Sequence, residues 1–574
     1  MKSMKSFLRS ALLWSWVISL PIVLLGGYWA VKTYQRYDTF AVRYGAGNVL
    51  PPVGRFAEYE YSSIKRQIKT FVLSGVAKDS EFPVINLKVS QSELAKLNSH
   101  LPQSGFNFVK GTLETENGSM KIKYRYRGDF PVHWAYEKKS IRVKTGKKEL
   151  FNGIRSFNLQ APKFDMQVNN YLSYKLAEKM GLLVPRSELV SVTLNGKRIG
   201  THIFVEQLEE MTLRHRLVMP GDIYRGEIVG KDRYLISGYA GRNLFDTPGY
   251  WDKMSVNNHY DDNDVYPLKE MIAQVQNTDF EESQKGLSKI MDMESWGRFS
   301  AFESLTNTYH FDNAHNWRIY YDPWRQKLVP IVWDATGWMG NWRVPETKGK
   351  AIAPQAMSAL HAKLFQNGDF VRARNAALAN FFEAGQDKEF VKFANETIEA
   401  VIRESKSDPY QRPTNDSKLR KETRKLGEYI ERVMMEGGDY IAPDVNAVTY
   451  SNIQSGVRLS VDGRTGVKRV KISFEKDVKK DIKVGVILTE TDTFNGEHVE
   501  KMTDLSEVTT ISGSEMILES EFLSSSVLSE AGLLPPPRAL TVLYERGDYD
   551  ITFSESSGDI KSCLLYTSPS PRDS

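Results

Sequence analysis

Residues Tyr309 to Gly337, YHFDNAHNWRIYYDPWRQKLVPIVWDATG, concentrate the side chains best able to do chemistry. An acid, Asp312, is followed four positions later by an amide, Asn316. An aromatic run, a turn at Asp322-Pro323 and a second apolar run then lead to another acid, Asp334, followed by Ala335-Thr336-Gly337. One carboxylate to orient an acceptor hydroxyl, with an amide and a second carboxylate to hold Mg²⁺ on phosphates, all at the ends of two strands, is the arrangement that phosphoryl transfer needs. The same residue types also form ordinary turns, because Asp and Asn side chains bond their own backbone. Spacing alone leaves both readings open. His310 and His315 flank Asp312, and His-x-Asp-x-x-His admits a third reading, a transition-metal site in a hydrolase, since imidazole prefers zinc, iron or copper to Mg²⁺. With 9 histidines and no further His or Cys cluster, that reading has little else behind it.

Elements on both sides must position these groups. Glu294 to Tyr309 reads as an apolar helix that delivers the chain to the segment. Upstream, Pro83 to Val89, Phe106 to Glu114, Met120 to Tyr126, Ser140 to Thr145 and Ser156 to Gln160 read as strands, with a short helix over Ser90 to Leu101. Val168 to Met180 is a helix ended by Gly181. Ser187 to Leu194 and Ile199 to Val205 flank Asn195-Gly196 and form a hairpin. The result is a β-rich lobe with one helix packed on it. A linker with Gly238, Gly241 and Gly249 follows; Asp264 to Ala273 and Phe280 to Ile290 read as helices before the segment, and Ala356 to Gln366, Phe370 to Glu383, Lys388 to Arg403 and Ser417 to Met435 after it. From Val445, alternating runs separated by polar turns predict a β-sandwich-like appendage.

The N-terminus sets the compartment. Ala11 to Val31 runs 21 residues without a charge, long enough to cross a bilayer, with Lys2, Lys5 and Arg9 before it and Trp14, Trp16, Tyr28 and Trp29 suited to the interfaces. It reads as an uncleaved signal anchor, N-terminus inside, with most of the chain beyond the cytoplasmic membrane; Lys32, Arg36 and Arg43 on the far side weaken the charge asymmetry, and a cleaved signal peptide is the alternative. Arg55 to Leu73 follows as a stalk helix. Lys+Arg 76 against Asp+Glu 71 is too balanced to argue for nucleic acid. A single cysteine, Cys563, excludes disulfides within the chain and suits a bacterial envelope protein. It lies in SCLLYTSPSPRDS, residues 562–574, which resembles a sequencing-adapter read-through; on that reading the natural protein continues beyond about residue 561.

A β-rich lobe, a hinge, a helical lobe and an Asp…Asn…Asp site together resemble the CotH kinase family, over roughly Pro83 to Arg403. The resemblance is carried by Arg127-Gly128-Asp129 with Trp134; by Lys138 to Lys144 (KKSIRVK); by Asn170 to Gly181 (NYLSYKLAEKMG) with Val184-Pro185-Arg186 and the hairpin through Val205-Glu206-Gln207; and by Asp312, Asn316 and Pro330 to Asp334 (PIVWD). It departs from the family in three places. A second acid often follows two residues after the metal-binding Asp, where this chain has Ala335-Thr336. Phe130 follows Asp129 where small polar residues are usual, and Asn169 stands where Arg is frequent.

The resemblance implies an α+β, atypical bilobal protein-kinase-like fold: an N-terminal transmembrane anchor (1–37), a stalk (38–82), a kinase domain (83–440, N-lobe about 83–210, C-lobe about 250–440) and the appendage (445–561). It implies Mg²⁺ and ATP as cofactors, Asp312 as catalytic base, and Asn316 and Asp334 as metal ligands. Arg142 and Lys144 alternate with Ile141 and Val143, which puts both cations on one strand face, suited to neutralising phosphate. Lys144 is the better single candidate; a solvated strand face is the alternative. Arg127 is a further phosphate contact or a structural ion-pair partner. Glu206 sits where a hinge would meet adenine, or else pairs structurally. The implied partners are a nucleotide, a protein acceptor at the cell envelope, and the membrane through residues 11–31. ATP is scarce outside the cytoplasmic membrane, so an inactive, kinase-like envelope scaffold is the alternative function. The aromatic residues around the segment read as core beneath the site.

Overall fold

The computed structural model of the protein describes residues 2–39, 41, 52–73, 80–101, 107–116, 118–128, 133–134, 136–162, 168–228, 242–254, 264–308, 310–338, 357–410, 416–441, 447–453, 456–462, 467–474, 476–478, 483–491, 498–519, 526–530, 537–544 and 547–552. The 562–574 tail, with Cys563, lies outside these, as do Asp129, Phe130, Gly238 and Gly241. The chain is α+β, in two compact units. Met1–Val168, Ser187–Glu206 and Thr397–Lys425 form the first; Asn169–Arg186, Gln207–Glu396 and Leu426–Ser574 form the second.

In the first unit, helices α1 (Lys2–Asp38) and α2 (Val53–Leu73) precede a closed barrel. Its strands are β1 (Val84–Lys88), β2 (Val109–Thr115), β3 (Gly118–Tyr126), β4 (Ile141–Thr145), β5 (Ser156–Gln160), β6 (Ser187–Leu194) and β7 (Lys197–Glu206), in the order β1-β2-β3-β4-β5-β7-β6. Neighbours are antiparallel except β1 and β6, whose parallel pairing closes the barrel. Period-two alternation fills the interior with Leu87, Leu113, Val143, Phe157, Leu159 and Val192. The β6–β7 turn is Asn195-Gly196, both with left-handed backbone (φ 53 and 76), the geometry that keeps a two-residue hairpin in step with strand twist. Helix α3 (Gln91–Ser99) starts at Ser90, whose hydroxyl accepts the Glu93 N–H at 3.2 Å.

Residues from Thr397 onward join this unit through buried charge. Lys138 pairs with Asp408, and both are almost fully buried. Burial pushes the Lys138 ammonium down, and the adjacent Asp408 carboxylate only partly restores it. Asp408 also accepts the Thr201 N–H at 2.9 Å. It fills the space that a Cβ at residue 200 would need, which is why Gly200, at φ +99, stands there. Arg198 pairs with Glu404, and Glu404 also accepts from Ser80 Oγ at 2.8 Å.

The fully buried His202 borders this charge pair. Its Nδ1 lies 2.9 Å from the Gly200 carbonyl oxygen and its Nε2 3.2 Å from that of Lys139. Two acceptors favour the imidazolium, but burial and the Lys138 charge outweigh them and push the pKa down to about 4 from 6.5. Between these values the unfolded chain binds a proton that the folded chain refuses. Stability present above pH 6.5 therefore falls by about 3 kcal/mol as the pH drops through 4. Urea unfolding of wild type and His202→Gln across that range checks this: the variant should lack that share of the acid loss, and identical slopes would refute it.

The second unit begins with α4 (Asn169–Lys179), grouped here and not with the barrel strands that flank it in sequence. The stretch expected as a linker contributes α5 (Glu210–His215), β8 (Ile223–Gly226) and β9 (Trp251–Lys253). Strands of four and three residues are too short to show a period. With β10 (Trp317–Asp322) and β11 (Lys327–Pro330) they build a sheet ordered β11-β10-β8-β9. Helices α6 (Tyr266–Gln276), α7 (Phe280–Ile290) and α8 (Met293–Thr306) precede the β10–β11 hairpin; α9 (Ala359–Leu364), α10 (Gly368–Glu383), α11 (Gln386–Glu404) and α12 (Asp416–Ile441) follow it. Helices α8 and α10 approach closely at Gly297, where a Cβ would meet the Arg374 backbone nitrogen at 2.5 Å. Ten strands, β12 to β21, between Ala447 and Thr552 form two five-stranded antiparallel sheets.

Candidate active site

Helix α8 ends at Asn307 in left-handed conformation (φ 48) and releases the chain into the loop before β10. The β10–β11 register pairs Ile319 with Pro330, so the start of β10 and the end of β11 lie at one end of the sheet. Asn316, just before β10, and Asp334, four residues after β11, are brought there by that register. Asp312, Asn316 and Asp334 are all buried.

Two histidines connect them. Asp312 Oδ1 accepts from the backbone N–H groups of Ala314 (2.7 Å) and His315 (3.0 Å), and from His315 Nδ1 (2.7 Å). Burial alone would push the His315 imidazole down; the Asp312 carboxylate, aided by Glu227 and Asp334, reverses this and holds it above the ordinary histidine value. His310 Nδ1 lies 2.6 Å from the Asp334 carbonyl oxygen and 3.1 Å from Asn316 Nδ2. A carbonyl only accepts, so the shorter contact puts the proton on Nδ1, and the Asn316 amide then lies beside the ring without donating to it. The two imidazole rings are 5.1 Å apart. The structure thus gathers the acid, the amide and the second acid into one connected group.

Backbone strain marks the same place. Asn316 (φ 68), Asp334 (φ 51), Thr336 (φ 47) and Trp338 (φ 55) are all left-handed. Asn and Asp tolerate this region, but a β-branched threonine and a tryptophan do not take it readily, and each such residue costs on the order of 1–3 kcal/mol. The cost is met by α4. Asn170 Nδ2 donates to Asp334 Oδ1 at 2.8 Å, and Asn170 Oδ1 accepts the Thr336 N–H at 3.2 Å. The Tyr174 hydroxyl accepts the Asp334 N–H at 3.0 Å, Ser173 Oγ the Gly337 N–H at 2.9 Å, and Asn169 Nδ2 donates to the Gly337 carbonyl at 3.0 Å. Sequence reasoning assigned no site role to these four helix residues. The available signal was a polar cluster, at 169, 170, 173 and 174, inside a helix ended by glycine.

A hard divalent cation takes oxygen ligands and keeps several waters, so one carboxylate and one amide oxygen fit it. Asp334 and Asn316 offer that pair, both buried and fixed by their loops. Among the described residues no group of three or more His, Cys, Asp or Glu could hold a metal. Trp317, Tyr320, Trp333 and Trp338 are buried as core, while Trp324 is exposed. Arg318, buried with its guanidinium 5.5 Å from the Trp333 ring centre, is pushed down to about 10 by burial and stays cationic.

The remaining candidates belong to the first unit. Arg142 and Lys144 share the outer face of β4, with Ile141 and Val143 inside. Across the ladder Arg142 faces Arg125 and Lys144 faces Lys123. Arg142 Nε donates to Asn158 Oδ1 at 2.8 Å. Arg127 Nε and Nη1 are buried and find no hydrogen-bond partner among the described residues. Glu206 ends β7 fully buried, opposite Phe157 and on the Phe204 face.

The family description CotH kinase protein matches residues 124–435, more than half of the chain. This chain belongs to that family. It is also similar to the Inner spore coat protein H of Bacillus subtilis (strain 168), with 22% identity over 299 residues, covering 51% of this chain and 78% of the relative. Asp312, Asn316, Asp334 and the α4 residues that hold Asp334 all fall inside the CotH match.

Asn170→Leu should remove a donor from the buried Asp334 carboxylate and the acceptor of the Thr336 N–H, lowering stability by about 1–3 kcal/mol. Chemical unfolding followed by tryptophan fluorescence measures this; an unchanged midpoint would show that α4 does not hold the loop.

Proposed function

We propose that this CotH-family chain transfers the γ-phosphoryl group of ATP to a hydroxyl acceptor on a protein at the cell envelope, using Mg²⁺. The observation that carries the reading is that the buried Asp312, Asn316 and Asp334 meet around the half-buried His310 and His315, in strained loops inside the CotH match. In this reading the fold works as an atypical bilobal kinase with a β-sandwich-like appendage. Asp312 orients the acceptor hydroxyl; three donors on its Oδ1 hold the carboxylate still, which suits positioning more than a group that must swing. Asn316 and Asp334 would hold the cation, which supplies charge neutralisation on the transferring phosphoryl group. Arg127, Arg142 and Lys144 serve as phosphate contacts, supported by the donors of Arg127 that lack partners among the described residues, and Glu206 as the adenine-side residue. The apolar stretch of α1 anchors the chain in the membrane, with its bulk on the extracytoplasmic side.

One observation favours a second reading, an inactive kinase-like envelope scaffold: Thr336 occupies the position of the second acid, and its hydroxyl bonds the Asp334 carbonyl at 3.0 Å.

The two readings part on ligand binding and turnover. Purified full-length chain should gain thermal stability with ATP only when Mg²⁺ is present, by about 2.7 kcal/mol at a hundred times the dissociation constant. Asp334→Ala should lose this gain. Asp312→Asn should keep it and lose phosphate incorporation by about 10²–10⁴-fold. A Mg²⁺-dependent shift without any incorporation by wild type leaves the scaffold; absence of both rejects the nucleotide reading altogether.

A further inference from the structure

Helix α2 carries two opposed faces. On one, Phe56, Ser63 and Arg66 are buried. Phe56 packs on Tyr136, with ring centres 6.1 Å apart, and on Tyr37 of α1 at 5.5 Å. Arg66 is near enough for its charge to bear on Lys138. This face fastens α2 to the first unit. On the other, Tyr61, Ile64, Ile68 and Val72 recur at helical spacing and are 54%, 40%, 60% and 72% exposed. A row of exposed apolar side chains on a helix about 30 Å long is a stripe that, beyond Tyr61, the described residues leave open.

Its surroundings indicate the occupant. Helix α1 holds the one candidate membrane span among the described residues, Trp14–Asp38. The stripe starts against that span: Tyr61 meets Trp29 edge to face, with ring centres 6.4 Å apart, and Arg36 pairs with Glu60 at 3.2 Å. Trp29 stands near the end of the charge-free run, at the level where a bilayer turns from hydrocarbon to headgroups and where tryptophan and tyrosine are favoured. Beyond Tyr61, α2 carries Lys65, Arg66 and Lys69 and no acid, and Lys65 and Lys69 are exposed beside the stripe. Aliphatic residues flanked by lysines on one amphipathic helix match the chemistry of an anionic membrane surface.

We propose that α2 lies in the headgroup layer of the bilayer that α1 spans, with Tyr61, Ile64, Ile68 and Val72 in the acyl boundary and Lys65 and Lys69 on anionic lipid headgroups. The first unit is then held against the membrane at two places, and α2 works as a lipid-facing cradle instead of a free stalk. This rests on the anchoring role given to α1, and the test separates the two.

The full chain, with Cys563→Ser as background, is labelled through Ile22→Cys, Ile68→Cys or Trp324→Cys with an environment-sensitive fluorophore. Each protein is reconstituted into vesicles of phosphatidylcholine, with or without phosphatidylglycerol, carrying a shallow lipid-borne quencher. The Ile22 label should be quenched from the lipid in both mixtures, and the Trp324 label only by aqueous iodide. The Ile68 label should shift to the blue and be quenched from the lipid, more strongly with phosphatidylglycerol. Lys65→Gln with Lys69→Gln should remove that enhancement. If the Ile68 label behaves like the Trp324 label while Ile22 is in lipid, α1 anchors and the α2 proposal is wrong. If Ile68→Cys cross-links to its counterpart in another copy and stays out of lipid, the stripe is a protein interface and the proposal is again wrong. If the Ile22 label also stays out of lipid, the anchor reading itself fails.

Discussion

Everything at the candidate site depends on removing carboxylates and amides from water without orphaning them. A buried carboxylate loses hydration worth several kcal/mol and is stable only where donors replace it. At Asp312 the donors come from its own turn and from His315. At Asp334 a donor comes from α4, the Asn170 amide, more than a hundred and fifty residues earlier in the chain. The left-handed backbone at 334, 336 and 338 follows from this. Only a loop folded that tightly turns the Asp334, Thr336 and Gly337 N–H groups toward Tyr174, Asn170 and Ser173 in succession. Helix α4 is therefore a set of hydrogen-bond partners for a strained loop as much as a packing element. Its grouping with the second unit expresses that dependence.

The first unit solves the same problem with charge. Lys138 and Asp408 are each costly to bury alone, and their pairing is strengthened by the Thr201 N–H on Asp408. The pair joins residues far apart in sequence, so it forms only when Thr397–Lys425 has returned to the barrel. Removing one partner would leave the other charge buried and unpaired with it, which ties the closing segment to the barrel more specifically than apolar contact could.

The regular elements were legible because their periods are long enough to see. All seven barrel strands and the helices from α6 to α11 lie within a few residues of the positions that alternation and amphipathicity predict, while α12 runs past its expected end at Met435 to Ile441. The alternation in Ser140 to Thr145 also placed Arg142 and Lys144 on the face opposite the core. The linker expected around Gly238, Gly241 and Gly249 was misleading at its flanks because β8 and β9 have four and three residues, and pairing of β8 with β10 and of β9 with β8 makes them strands where their own pattern does not. The acid–amide–acid trio was legible from residue type and spacing. The side chains that hold it were not, because a hydrogen bond from Asn170 to Asp334 is a tertiary fact; in sequence Asn170 shows only as a polar residue in a helix otherwise suited to burial.

The position two residues beyond Asp334 bears most on how such a site would work. A second acid there, as members of the family often have, would put two negative charges into one buried loop and raise the cost of keeping both ionised. Thr336 avoids that cost: its N–H reaches Asn170 and its hydroxyl the Asp334 carbonyl. The loop is thereby self-satisfied with a single carboxylate. On the proposed reading the same economy would weaken the loop's hold on a cation, because affinity for a hard divalent ion rises with the number of charged oxygens around it. One carboxylate and one amide leave most of that charge to be supplied by phosphates. On the proposed reading, cation and nucleotide are obligate co-ligands, each deficient without the other. On that reading Thr336 would shift the control of metal binding from the protein to the nucleotide.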